Sequence, residues 1–121
     1  MEHKRRYYWG LAAEVFSIML LSLKGYRIIN WRYKCYCGEI DIVAKRFKSL
    51  RFIEVKARKD IISAAESISY HQRSRIEKTA RHFLMKNQNM KIENIQFDAI
   101  LVIPWRIPKH INDSWRPDSA W

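Results

Sequence analysis

Two apolar runs with strand periodicity, residues 39–47 and 50–57, are separated by only Lys48-Ser49. A link that short leaves no room for a crossover, so the two runs are constrained to pair as an antiparallel hairpin. Side chains alternate along each strand. Leu50, Phe52, Glu54 and Lys56 therefore share one face, and Ile53 and Val55 take the other. In the preceding strand Glu39, Asp41 and Val43 share a face, and Ile40, Ile42 and Ala44 take the other. A turn at Lys48-Ser49 pairs Phe47 with Leu50, which sets Asp41 opposite Lys56 and Val43 opposite Glu54.

That pairing gathers Asp41, Glu54 and Lys56 on one side of a sheet, within reach of a shared ion. The apolar neighbours of Glu54 mark an interior strand, where a carboxylate is costly unless it has a partner or an ion. Mg²⁺ takes oxygen ligands and keeps several waters, so one or two carboxylates plus a substrate phosphate suffice to hold it. Mn²⁺ accepts the same oxygen ligands. Asp41 and Glu54 are thus the candidate metal ligands, and Lys56 the group to steady charge developing on a phosphodiester. The plainer alternative is a solvated hairpin face carrying an ordinary Asp–Lys pair.

Composition points to a polyanionic partner. Lys and Arg number 23 against 12 acidic residues, a formal net charge of +11 over 121 residues. A field of that sign attracts phosphate backbones. The 48% apolar content is that of a folded globular chain, and the length suits one domain over 1–121. The run Val15–Leu23 is too short to span a bilayer, and Lys24-Gly25-Tyr26-Arg27 offers no small-residue cleavage site. The expectation is a cytoplasmic protein without a membrane partner. Cys35 and Cys37, in C-x-C spacing, read as two reduced thiols near a turn.

Helical periodicity runs from about Arg5 to Lys24, stopped by Gly25 in a C-cap position. So little polar face predicts a largely buried helix. Three strands follow, at 26–33, 39–47 and 50–57. A second helix spans 65–87 with Ile76, Ala80, Phe83 and Leu84 as its buried stripe, and a last strand covers 95–103. This order predicts an α/β fold, a mixed central sheet flanked by helices. Arg73 and Arg75 on the second helix, and Arg32 among Trp31, Tyr33 and Tyr36, are candidates to contact nucleic acid. Residues 104–121, with three prolines and three tryptophans, read as an irregular segment packed on the domain.

A series of short motifs adds to this reading. It comprises Gly10-Leu-Ala-Ala-Glu14, Gly25-Tyr26, Asn30-Trp31-Arg32, Gly38-Glu39-Ile40-Asp41, Phe52-Ile53-Glu54-Val55-Lys56-Ala57-Arg58 and Phe97-Asp98. In this order it resembles the bacterial UPF0102, or YraN-like, family, which is similar to Holliday-junction resolvases and the wider PD-(D/E)xK nuclease superfamily. The resemblance implies a restriction-endonuclease-like fold. It also implies a metal-dependent endonuclease hydrolysing phosphodiester bonds in DNA, branched or damaged, in preference to RNA. By position Asp41 matches the metal-binding Asp, Glu54 and Lys56 the E-x-K, and Glu14 the acidic residue that leans into the site from the first helix. Arg58 closes the same motif as a candidate DNA contact. Gln72 stands where the helix after the core often carries a phosphate-contacting Lys, and Gln96 where relatives usually carry Arg. The alternative function is a non-catalytic DNA- or RNA-binding protein on the same fold. For oligomeric state a two-fold homodimer is the common default.

Overall fold

The computed structural model describes residues 2–60, 62 and 68–117, with side chains from Trp9 onward. The chain runs α1 (Glu2–Leu23), β1 (Arg27–Cys35), β2 (Gly38–Arg46), β3 (Ser49–Ala57), α2 (Tyr70–Lys86), β4 (Asn94–Val102) and β5 (Lys109–Trp115). The five strands form one sheet in sequence order. The pairs β1–β2, β2–β3 and β4–β5 are antiparallel. The connection through α2 makes β3 and β4 parallel. This is the expected α/β architecture with a mixed sheet, consistent with a restriction-endonuclease-like fold.

α1 ends as Gly25 predicts. Gly25 adopts φ 89°, the Tyr26 N–H donates to the Leu21 carbonyl at 2.9 Å, and the Gly25 N–H donates to that of Ser22 at 3.1 Å. These two bonds form a Schellman cap. α2 starts at Ser69, whose side chain accepts the Gln72 N–H at 3.1 Å. The expected start of that helix near residue 65 falls outside the described residues.

Among the described residues each face of the sheet carries one helix and one core. On the α2 face Phe52 stacks on Phe97, and Phe97 on Trp115, at centroid distances of 5.6 and 5.3 Å, with Phe83 edge-on to Phe52. On the α1 face Ala13, Leu21 and Tyr26 pack against Ile42, Ile53 and Ile100. Contrary to the expectation of a buried helix, among the described side chains of α1 only the stripe Ala13, Ser17 and Leu21 is fully buried, and Phe16, Met19 and Leu23 stay exposed. The reason is geometric: the sheet meets α1 on one side, and α2 lies across the opposite face.

Two further expectations are corrected. The hairpin turn is Phe47-Lys48, not Lys48-Ser49, because Arg46 pairs with Ser49. The register therefore moves by two residues, which preserves the faces but changes who stands opposite whom. The segment 104–121 is not irregular throughout, since 109–115 form β5 on the edge of the sheet. β5 is fastened by buried Asp98, which accepts from Arg51 Nη1 at 2.9 Å, His110 Nε2 at 2.7 Å and the Asp113 N–H at 2.9 Å. Burial alone would raise the Asp98 carboxyl, but these donors outweigh it and hold it below its ordinary range. Among the described residues no helix is long and apolar enough to cross a membrane.

Candidate active site

The site forms where the β2–β3 ladder stops. Its last pair is Ile42 with Ile53. One residue further, Asp41 Oδ2 accepts the Val55 N–H at 2.8 Å, so a carboxylate takes the place of a ladder carbonyl. The register continues to bring Asp41 level with Glu54, in place of the Lys56 expected opposite it. A break in alternation occurs at the same point. Ile42 packs in the α1-side core, but Ile40 packs in the α2-side core, where strict alternation places both on one face. Between their partners Trp31 and Tyr33 stands Arg32, with left-handed φ 59°. The backbone thus switches sides at Asp41.

As a result Asp41 and Glu54 border openings on both faces. On the α1 side a cavity of about 720 Å³ is lined by Glu14, Asp41, Glu54, Lys56 and Arg58, with Trp9 at its edge. On the α2 side one of about 340 Å³ is lined by the same two carboxylates with Glu39, Gln72 and Arg75.

Glu54 is buried, and Oε1 accepts from Gln72 Nε2 at 3.0 Å and faces Lys56 Nζ at 3.4 Å. Burial, then the Asp41 charge, push its carboxyl up to about 8 against the pull of Lys56. Burial likewise raises Asp41 to about 6; Glu14 adds to the rise, while the Val55 amide, a hydrogen bond with Glu54 and Lys56 oppose it. Two crowded carboxyls, with the Lys56 ammonium beside Glu54, favour keeping a proton, and a divalent cation bound there would favour its release. Among the described residues no group of three or more His, Cys, Asp or Glu side chains is arranged to hold a metal. The arrangement supplies two carboxylates, which is the sparse ligation that suits Mg²⁺.

Glu14 does lean toward this pair from α1, but its oxygens are engaged. Oε1 accepts from Trp31 Nε1 at 3.0 Å and Arg32 Nε at 3.2 Å, and Oε2 from Arg32 Nη2 at 3.0 Å. Arg32 is therefore forked onto Glu14 instead of facing a phosphate. Gln72, expected at a phosphate, instead orients Glu54. Arg73 packs over the Trp115 ring at 5.7 Å with its Nε buried. Arg58 and Arg75 are exposed at the mouths of the two cavities. Gln96 lies inside the sheet, its Oε1 buried and without a hydrogen bond. The thiols of Cys35 and Cys37 are free. Cys35 Sγ accepts the Cys37 N–H at 3.3 Å. Burial would raise that thiol, but the amide and the Thr79 hydroxyl lower it on balance.

The roles of Gln72 and of the Arg32–Glu14 fork are what sequence reasoning missed. The available signal for Gln72 was its place in the first turn of a helix following the E-x-K strand.

Comparison with known proteins locates the chain among relatives. The profile of UPF0102, described as an uncharacterised protein family, matches residues 13–102. A UPF0102 protein of Parvibaculum lavamentivorans is 41% identical over 111 residues, covering 92% of this chain and 84% of the relative. One of Bartonella tribocorum is 36% identical over 110 residues, covering 91% and 85%. One of Rhodopseudomonas palustris (strain HaA2) is 43% identical over 102 residues, covering 84% and 80%. With matches of this extent along most of its length, the chain belongs to the uncharacterised protein family UPF0102.

Proposed function

We propose that this protein is a divalent-metal-dependent endonuclease acting on DNA phosphodiesters. The observation that carries the reading is the Asp41–Glu54 pair, held together at a gap in the sheet with both carboxyls raised and Lys56 alongside. Asp41 and Glu54 would hold Mg²⁺ or Mn²⁺. When bound there, the cation supplies Lewis acidity toward a phosphoryl oxygen and eases deprotonation of an attacking water. Lys56 stands beside the carboxylates, in a position to offset negative charge that grows on the phosphate. Gln72 fixes the Glu54 rotamer, and the Glu14–Arg32–Trp31 cluster walls the α1 side. Arg58 and Arg75 offer cations to flanking phosphates. The net charge of +11 favours the encounter with nucleic acid.

The test is cleavage of labelled linear, flapped and four-way-junction DNA with Mg²⁺, with Mn²⁺ and with chelator. Asp41→Asn and Lys56→Ala proteins run in parallel. Metal-dependent cutting that falls at least about 100-fold in both variants is the expected result. Intact binding with no cutting of any substrate would leave a non-catalytic nucleic-acid-binding protein.

A further inference from the structure

We infer that the exposed face of α1 is the interface for a second copy of this chain, related by a two-fold axis. This inference is independent of the nuclease reading. Trp9, Ala12, Phe16, Met19 and Leu23 follow one another at alternating steps of three and four residues, which is the seam of a helix that packs on another helix. They lie within about a quarter turn of one another on the helix surface. The stripe is centred about a third of a turn from the one that α1 buries against the sheet, and it contains no charged residue. Leu23 is 87% exposed and Met19 56%.

Beside this stripe the loop between β4 and β5 lifts two more apolar side chains into solvent. Trp105 is fully exposed on a backbone at φ 65°, and Ile107 is 83% exposed. Loop and helix enclose an apolar groove of about 900 Å³. One patch therefore holds both a projecting ring and a groove to receive one. That is what an isologous contact requires: each copy inserts Trp105 beside the other's α1 seam.

The exposed side chains of this patch leave on the order of 800 Å² in water, about what one partner contributes to a standard interface. A patch of that size is uncommon on a monomer. The groove is bordered by two cations, Lys59 and Arg106, but its wall is otherwise apolar, which suits an apolar protein face better than a phosphate backbone. The groove shares Trp9, Lys59 and Pro104 with the cavity over Asp41 and Glu54, so the interface adjoins that cavity in each copy.

The test is the mass of the full chain in solution, by sedimentation equilibrium at micromolar concentrations. The expected mass is twice the 14.6 kDa of one chain. Trp105→Glu and Met19→Glu alter exposed positions and are each expected to yield a monomer with unchanged circular dichroism and thermal midpoint. A wild-type monomer at these concentrations overturns the inference, as does a dimer that survives both substitutions. A wild-type monomer that instead sediments with phosphatidylglycerol vesicles, and loses this with Met19→Glu, reassigns the face to a membrane surface.

Discussion

Asp41 and Glu54 are ionised near the ordinary carboxylate range when the chain is unfolded, and hold protons to about 6 and about 8 when it is folded. Between those limits the native state binds more protons than the unfolded state. Stability therefore falls as pH rises through this window, and is greatest on its acid side. A divalent cation that binds the native pair offsets the loss. Asp41→Asn keeps an oxygen for the Val55 amide, and Glu54→Gln keeps one for Gln72. Each is expected to raise the thermal midpoint of the metal-free protein at about pH 8 by about 2–5 °C. Each should also abolish the rise that Mg²⁺ produces in wild type. Calorimetry across this pH range checks both, and a wild-type midpoint that does not decline toward about pH 8 would show that the pair is not strained as described.

Among the elements, the α1 terminus and the β2–β3 hairpin were legible in the sequence because local chemistry specifies them. Gly25 fits a left-handed cap, and Lys48-Ser49 lies near the true turn. The register was not legible, since the turn places Phe47 at φ 55°, a conformation that a bulky side chain rarely adopts. Glycine at this exposed site relieves the steric cost. Phe47→Gly is expected to stabilise the fold by about 0.5–1 kcal/mol in urea titration. A loss of stability would mean that the Phe47 side chain contributes contacts the turn depends on. β5 escaped notice for a different reason. Lys109–Trp115 is a polar edge strand held by Asp98, Arg51 and His110, and side-chain networks of that kind leave no period in the sequence. Asp41 and Glu54 were legible as neighbours because a register shift of two residues keeps them close at the end of the hairpin, although alternation itself breaks at Asp41. The crossing at Arg32 that opens the site to both faces depends on one backbone angle, which no residue type announces.

For the molecule as a whole, the charge is unevenly used. Glu14 engages Arg32, Asp98 engages Arg51, and Arg73 lies over Trp115, so much of the net +11 is left to the exposed cations. DNA affinity is therefore expected to fall linearly with salt on logarithmic axes. Arg58→Ala or Arg75→Ala should lower that slope by about one each. Arg73→Ala, with the fold intact, should leave it unchanged. Fluorescence anisotropy over a salt series provides the measurement, and an Arg73 variant that changes the slope as much as Arg75 would contradict the assignment.

The bond from the Val55 amide to Asp41 ties chemistry to architecture at a single atom pair. Exchange of this carboxylate for an amide leaves the bond in place, whereas exchange for an apolar side chain unfastens the end of the central hairpin. The requirement to fold thereby constrains position 41 to a hydrogen-bond acceptor, and a relative without the proposed catalysis would still be expected to carry one there.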